Sequence, residues 1–154
     1  MFVVSIKANF KKIALTAFMF FAVILSVIFL LGSSIETMGK VSIHLSNNNE
    51  RIEFIQQFGW KIEFEPLEIV DVTIPKEFND VYKKYNSLQK KQNFNLEKYK
   101  GKTVKRYTYT VTNYKGEEYV RANLLIYNNT LIGGDISSIK LNGFMHGFNP
   151  KYKL

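Results

Sequence analysis

An apolar run near the N-terminus constrains this chain more than any other feature of its sequence. Residues 13–31 are nineteen consecutive positions without a charged side chain, and only Thr16 and Ser26 among them are polar. A helix rises about 1.5 Å per residue, so such a run can cross a hydrocarbon core about 30 Å thick. The run predicts a single transmembrane helix. A cleaved signal peptide is the alternative, because Gly32 and Ser34 make a weak cleavage site.

The charges that flank the run predict its orientation. Lys7, Lys11 and Lys12 precede it, and no basic residue follows it until Lys40. Because cytoplasmic flanks carry an excess of Lys and Arg, we expect a cytoplasmic N-terminus and an extracytoplasmic C-terminal domain in the cell membrane. The expected divisions are a basic cytoplasmic flank at 1–12, the membrane helix at 13–31, a stalk at 32–46 and a domain at 47–154.

Composition limits the chemistry available to the outer domain. The chain has no cysteine, so neither disulfides nor a lipidated cysteine can stabilise or anchor it. Its two histidines, His44 and His146, lie about a hundred residues apart and make a poor metal site. We therefore expect no metal and no cofactor. Nucleic acid is not expected as a partner, because the domain is predicted to lie outside the cytoplasm.

Hydrophobic periodicity in the outer part predicts an α+β fold. A short helix is expected at 50–58, with an apolar stripe at Ile52, Ile55 and Phe58 and a stop at Gly59. A longer helix is expected to start near Pro75 and to end at about residue 92, and a tight or single helical turn at 96–101.

Residues that alternate between apolar and polar predict the strands. Extended segments are expected at 60–65 and 70–74, followed by a three-stranded antiparallel meander at 106–111, 119–127 and 131–139. We expect a sheet of four or five strands packed against two helices on one face. Gly133 and Gly134 fall in mid-strand, where paired glycines mark a bulge or the close approach of another backbone.

The face of the meander opposite the helices is the first candidate site. If Val120, Ala122 and Leu124 face the helices, this face carries side chains that can bind a peptide or a glycan. The candidate ligand-binding residues are Arg106, Tyr119, Arg121, Asn123, Tyr127 and Asp135, with Thr108, Thr110 and Ser137 beside them. Plain solvent-exposed surface is the alternative interpretation.

A basic run is the second candidate site. Between residues 83 and 106 there are nine basic residues and Glu97 alone, whereas residues 50–80 hold eight acidic residues and three basic ones. Such a run can hold anionic lipid headgroups or an acidic wall polymer, and a solvated helix face is the alternative. The candidate polyanion-binding residues are Lys83, Lys84, Lys90, Lys91, Lys98, Lys100 and Lys102, followed by Lys105 and Arg106.

No catalytic motif is present in the sequence. A hydrolase could be assembled from Asp135 and His146, with Ser137 as a nucleophile, but no nucleophile-elbow spacing places these residues together. We therefore expect a non-enzymatic, single-pass anchored domain that binds a ligand or an envelope protein. A small envelope hydrolase and a polyanion-binding domain are the two alternatives.

Residues 58–148 resemble a bacterial, mainly Gram-positive family catalogued as domain of unknown function 4830. The motifs that carry the resemblance are Phe58-Gly59-Trp60, Val72-Thr73-Ile74-Pro75, Tyr85-Asn86-Ser87-Leu88-Gln89, Asn93-Phe94, Tyr99-Lys100-Gly101-Lys102, Arg106-Tyr107-Thr108-Tyr109, Ile132-Gly133-Gly134-Asp135 and Gly143-Phe144-Met145-His146-Gly147-Phe148. The resemblance implies a membrane anchor and an outer domain, and it supplies no activity or catalytic residue. A cysteine is frequent in that family where this chain has Ser137, so no redox chemistry is implied here.

Overall fold

The computed structural model describes residues 23–27 and 42–154. Residues 23–27 are helical and exposed, and they belong to a unit separate from Ser42–Leu154. Among the described residues, no helix is both long enough and apolar enough to span a bilayer. Most of the predicted transmembrane helix at 13–31 lies outside the described residues, as do the basic flank and the stalk up to residue 41.

The unit Ser42–Leu154 is an α+β domain, as the sequence predicts. Its elements are α1 (Asn48–Gln56), β1 (Glu68–Thr73), α2 (Asp80–Lys91), a 3-10 turn (Leu96–Tyr99), β2 (Thr103–Val111), β3 (Val120–Tyr127), β4 (Thr130–Ser138) and β5 (Met145–His146). The strands form one antiparallel sheet in the order β1-β2-β3-β4-β5. The predicted meander is confirmed and corresponds to β2, β3 and β4.

The helices cover both faces of the sheet, so the prediction that they share one face is wrong. Side chains alternate between the two faces of a strand, and each face has its own apolar core. Phe54 and Ile55 of α1 pack in the core that contains Val111 and Ala122. The other core contains Val104, Leu125, Leu96 of the 3-10 turn, and Tyr82 and Tyr85 of α2.

Helix α1 begins and ends two residues earlier than predicted and buries a different stripe. The Asn47 side chain accepts a hydrogen bond from the Glu50 backbone N–H. The Glu50 carboxylate accepts one from the Asn47 backbone N–H, which completes a capping box. Arg51 is buried beside Phe54 and Ile55, in place of the expected Ile52. Its guanidinium lies 4.1 Å from the Tyr107 ring centroid, so a cation–π contact supports this buried charge.

Helix α2 begins five residues later than Pro75, which therefore lies outside it. The Asn79 side chain caps the helix by accepting a hydrogen bond from the Tyr82 backbone at 2.9 Å. Val81, in the first turn of the helix, is 77 % exposed. The predicted turn at 96–101 is confirmed by the 3-10 helix.

Two other segments differ from their expected roles. Residues 60–65 form only a single bridge, between Ile62 and Val111, and Phe64 is exposed. At the end of the predicted stalk, the Leu131 backbone donates to the Ile43 carbonyl oxygen and Leu45 is buried, so these residues belong to the domain.

Gly133 and Gly134 lie at both a bulge and a close approach, as predicted. The β3–β4 register shifts beside them. A Cβ on Gly134 would overlap the Asn123 carbonyl oxygen and the Phe148 ring. Two glutamine side chains at the end of α2 also bind the backbone of β4 at this point. Gln89 accepts a hydrogen bond from the Gly134 backbone N–H at 2.8 Å, and Gln92, the C-cap residue, donates one to the Gly134 carbonyl oxygen at 3.0 Å.

Candidate functional site

An open cleft of about 430 Å³ lies on the face of the sheet that carries α2. Its lining combines short polar side chains (Thr108, Asn123 and Ser137), three charged ones (Glu68, Arg106 and Arg121) and two apolar ones (Leu67 and Ile139). This lining includes much of the sheet face identified in the sequence.

Strand register brings these side chains together. Thr108 pairs with Asn123, which pairs with Asp135 on β4, and Arg121 pairs with Ser137 in the neighbouring row. Residues directly opposite one another in adjacent strands project to the same face. The expectation that Asp135 and Ser137 join the face of β2 and β3 is therefore confirmed.

A hydrogen-bond network joins the centre of the cleft to the α2 core. Asn123 accepts from the Thr108 hydroxyl at 2.9 Å and donates to Asp135 Oδ1 at 2.9 Å and to Ser137 Oγ at 3.3 Å. The hydroxyl of Tyr85 donates to Asp135 Oδ2 at 2.9 Å. Both amide hydrogens of Asn123 have partners, so its side chain is held in one orientation.

Asp135 is the buried acid of this network, with 3 % of its surface exposed. Burial raises the pKa of Asp135 above its ordinary value, although hydrogen bonds from Asn123 and Tyr85 act in the opposite direction. Burial and the nearby Asp135 charge raise the pKa of Tyr85 well above its ordinary value. Tyr85 therefore stays protonated and serves as a donor to the carboxyl group.

The two arginines of the cleft differ in their partners. Arg106 Nη2 lies 2.7 Å from Glu68 Oε2, and its buried Nε has no partner among the described residues. Arg121 donates from Nη1 to the Thr110 hydroxyl at 2.9 Å. Within residues 23–27 and 42–154 it makes no ion pair. Arg121 is thus a half-buried cation with a neutral partner only.

Residues 54–136 match the profile of a family described as a domain of unknown function (DUF4830). This match covers more than half of the chain. The chain belongs to the DUF4830 family. No curated protein and no solved structure matches it. Of the residues discussed above, the DUF4830 match includes Arg106, Arg121, Asn123 and Asp135, and it ends before Ser137 and Ile139.

Two of the predicted ligand-binding residues are not part of the lining of the cleft in this DUF4830 domain. The Tyr127 ring packs edge-on against Tyr99, with centroids 5.7 Å apart, in the α2 core. Tyr119 precedes β3 and is exposed, with Lys140 Nζ 5.9 Å from its ring. Of the six predicted residues, Arg106, Arg121 and Asn123 line the cleft, and Asp135 lies buried beside them.

The DUF4830 domain does not bring Asp135 and His146 together. His146 pairs with Ile136, the next residue after Asp135, and therefore faces the opposite side of β4. Its Nε2 lies 3.2 Å from the Tyr114 hydroxyl, and its ring stacks on Phe144 with centroids 5.3 Å apart. The hydrolase pair considered in the sequence has no geometric basis here.

Part of the basic run is paired with acidic side chains. Lys83, Lys90, Lys105 and Arg106 make ion pairs with Asp80, Glu97, Asp71 and Glu68 respectively. Adjacent residues Lys105 and Arg106 also point to opposite faces of β2. Lys91 donates to the Lys153 carbonyl oxygen, and Lys100 Nζ lies 4.8 Å from the Phe78 ring. Three of the nine basic residues thus pair with the acidic segment that precedes the run, and Lys90 pairs with the acidic residue inside it.

Four residues of the site were not identified from the sequence: Leu67, Glu68, Tyr85 and Ile139. Leu67 and Ile139 flank strands, and Tyr85 was assigned only to an apolar helix stripe. Glu68 could have been found from the β1–β2 pairing, because a residue diagonal to Arg106 can reach it. Among the described residues, no three acidic or histidine side chains are close enough to hold a metal ion.

Proposed function

We propose that this chain is a non-enzymatic, single-pass anchored protein whose outer domain binds a ligand or a partner protein at the cell envelope. The cleft containing Arg106, Arg121 and Asn123 is the binding site in this proposal. The buried carboxyl of Asp135 is the single observation that carries it. Buried ionisable groups oppose folding, and they concentrate where a function requires a fixed polar arrangement.

The role of the buried network is to preorganise the cleft. Asp135 fixes the amide of Asn123, and Asn123 fixes the hydroxyl of Thr108, so the central side chains need little ordering when a ligand binds. Preorganisation lowers the conformational cost of binding. A volume of about 430 Å³ also falls in the range of small-ligand sites. Binding, and not catalysis, is the proposal because Asp135 is engaged by two donors and His146 faces the other side of β4.

The location is proposed from the sequence. Residues 13–31 carry no charge, and the basic residues Lys7, Lys11 and Lys12 precede them. The described part of this run, 23–27, is helical. These features support a membrane anchor with the domain from Ser42 outside, and they make envelope components the accessible ligands.

Photo-crosslinking in cells that produce the full chain tests the binding site. A benzoylphenylalanine at Ile139, which is exposed and lines the cleft, should give adducts of defined mass. The matched control is the same residue at Val81, which is at least as exposed but lies on α2 outside the cleft. Equal adduct yields at the two positions, or none at Ile139, would contradict the proposal.

Thiol labelling tests the topology, since the chain has no cysteine of its own. A membrane-impermeant maleimide should label Leu141→Cys in intact cells, because Leu141 is 95 % exposed in the domain. Ser5→Cys, in the basic flank, should be labelled only after the cells are permeabilised. The reverse pattern would place the domain in the cytoplasm.

A further inference from the structure

We infer that the cleft binds the C-terminus of a peptide, with the terminal carboxylate on Arg121 and an apolar last side chain against Ile139, which lies two residues beyond the strand partner of Arg121, Ser137. This inference rests on the proposed function and names the ligand of the same site. Three features of the cleft support it: its unused hydrogen-bonding groups, the missing counter-ion of Arg121, and the apolar side chain of Ile139 close to Arg121.

The unused polar groups of the cleft are mainly donors. The amide of Asn123 is occupied on both its nitrogen and its oxygen, by Asp135, Ser137 and Thr108. The arginines retain most of their donors, since a guanidinium carries five N–H groups and Arg121 uses one of them within the domain. A ligand that fits this distribution must supply hydrogen-bond acceptors.

Of the two arginines that line the cleft, Arg121 has no carboxylate partner among the described residues. Glu68 already neutralises Arg106, whereas Arg121 is bound only to the neutral hydroxyl of Thr110. A partly desolvated charge is stabilised by an opposite charge, and the planar guanidinium matches a carboxylate through two parallel hydrogen bonds. A ligand carboxylate would therefore complete the ion pair that the domain leaves open.

The cleft has one apolar side chain on its β1 side and another on its β4 side, close to Arg121. Leu67 and Ile139 both line it, and each exposes more than half of its surface. Covering the exposed Ile139 side chain with an aliphatic group is favourable, because it removes apolar surface from water. A carboxylate next to an aliphatic side chain is the chemistry of a peptide terminus such as leucine, whereas an acidic sugar would offer hydroxyl groups to Ile139.

Calorimetry on the full chain in detergent tests the inference with two probes, acetyl-Ala-Ala-Leu and its C-terminal amide. Removing one charge-assisted, bidentate contact should weaken binding at least tenfold. The free acid should therefore bind at least ten times more tightly than the amide to the unaltered protein. Equal affinities, no binding of the acid, or equally tight binding of glucuronic acid would overturn the inference.

Substitutions locate the carboxylate. Arg121→Gln should abolish the preference for the acid, and Arg121→Lys should retain part of it, because lysine keeps the charge without the planar fork. Lys102→Gln removes the same charge at an exposed position outside the cleft and should change nothing. An unaltered acid preference in Arg121→Gln would place the carboxylate elsewhere. The acid–amide comparison on the unaltered protein remains decisive if Arg121→Gln fails to fold.

The two proposals fail differently. If Ile139 gives adducts in cells while the acid and amide bind equally, the cleft binds a ligand but not through a carboxylate. If the acid is preferred but no adducts form, the chemistry of the cleft is as inferred, and its assignment as the site used in cells is wrong.

Discussion

Replacing Asp135 should change the stability of the domain differently for two substitutions. Asp135→Ala removes the acceptor of two buried hydrogen bonds, from Asn123 and from Tyr85. An orphaned buried donor costs about 1–3 kcal/mol, so alanine should lower the free energy of unfolding by about 2–6 kcal/mol. Asp135→Asn keeps the size of the side chain, can accept from Asn123 and can donate to the Tyr85 oxygen.

The asparagine variant should gain stability relative to the unaltered protein as the pH rises. Burial raises the pKa of Asp135, so the folded state holds this proton at pH values where the unfolded state has lost it. The contribution of Asp135 to stability is therefore full below its ordinary pKa of 3.8 and declines as the pH rises toward its pKa in the folded state. Within that window the difference between the two proteins should change by up to about 1.4 kcal/mol per pH unit.

Urea denaturation of the full chain at several pH values provides the measurement. The single tryptophan, Trp60, lies in the domain, where its indole donates to the Phe148 carbonyl oxygen at 2.7 Å, so its fluorescence reports unfolding of the domain directly. The other titrating groups are common to both proteins and cancel in the difference. The reasoning is refuted if this difference is constant from pH 3.8 to neutral, or if asparagine destabilises as much as alanine.

Two further substitutions test packing at the edge of β4 by the same denaturation assay. Gly134→Ala should lower the free energy of unfolding by about 3 kcal/mol or more, because its Cβ would overlap backbone and ring atoms. Its control, Gly116→Ala, lies at φ +80° in open space and should lower the free energy of unfolding by only about 1–2 kcal/mol. Gln92→Leu should lower the free energy of unfolding by about 2 kcal/mol or more, because the Gly134 carbonyl loses its hydrogen-bond donor. Its control, Gln56→Leu on the exposed side of α1, should change the free energy of unfolding by no more than about 0.5 kcal/mol. Equal costs within either pair would contradict the contacts described.

Local patterns in the sequence were sufficient for the sheet and for much of the cleft. Strict alternation in β2 and β3 assigned Arg106, Arg121 and Asn123 to one face, and the short turn at 128–129 then fixed the register that adds Asp135. Alternation identifies which residues share a face, but it does not identify what covers that face. The placement of α1 and α2 on opposite faces was missed for this reason.

The remaining errors come from tertiary contacts that override local preference. Arg51 is buried because the Tyr107 ring lies beneath its guanidinium, and no spacing within α1 encodes that partner. The start of α2 is set by the side chain of Asn79, although Pro75 is also a favourable first-turn residue. Glu68 joins the cleft through a strand neighbour thirty-eight positions away.

Protection of a single thiol at the cleft in living cells tests the central claim most directly. Ile139→Cys lies at the cleft, and Leu141→Cys lies two residues beyond it and is more exposed. A membrane-impermeant maleimide should label Leu141→Cys at the same rate in intact cells and in purified protein. Ile139→Cys should react several times more slowly in cells than after purification, because a bound ligand covers it. Equal labelling of Ile139→Cys in both settings would contradict the assignment of this cleft as an occupied binding site.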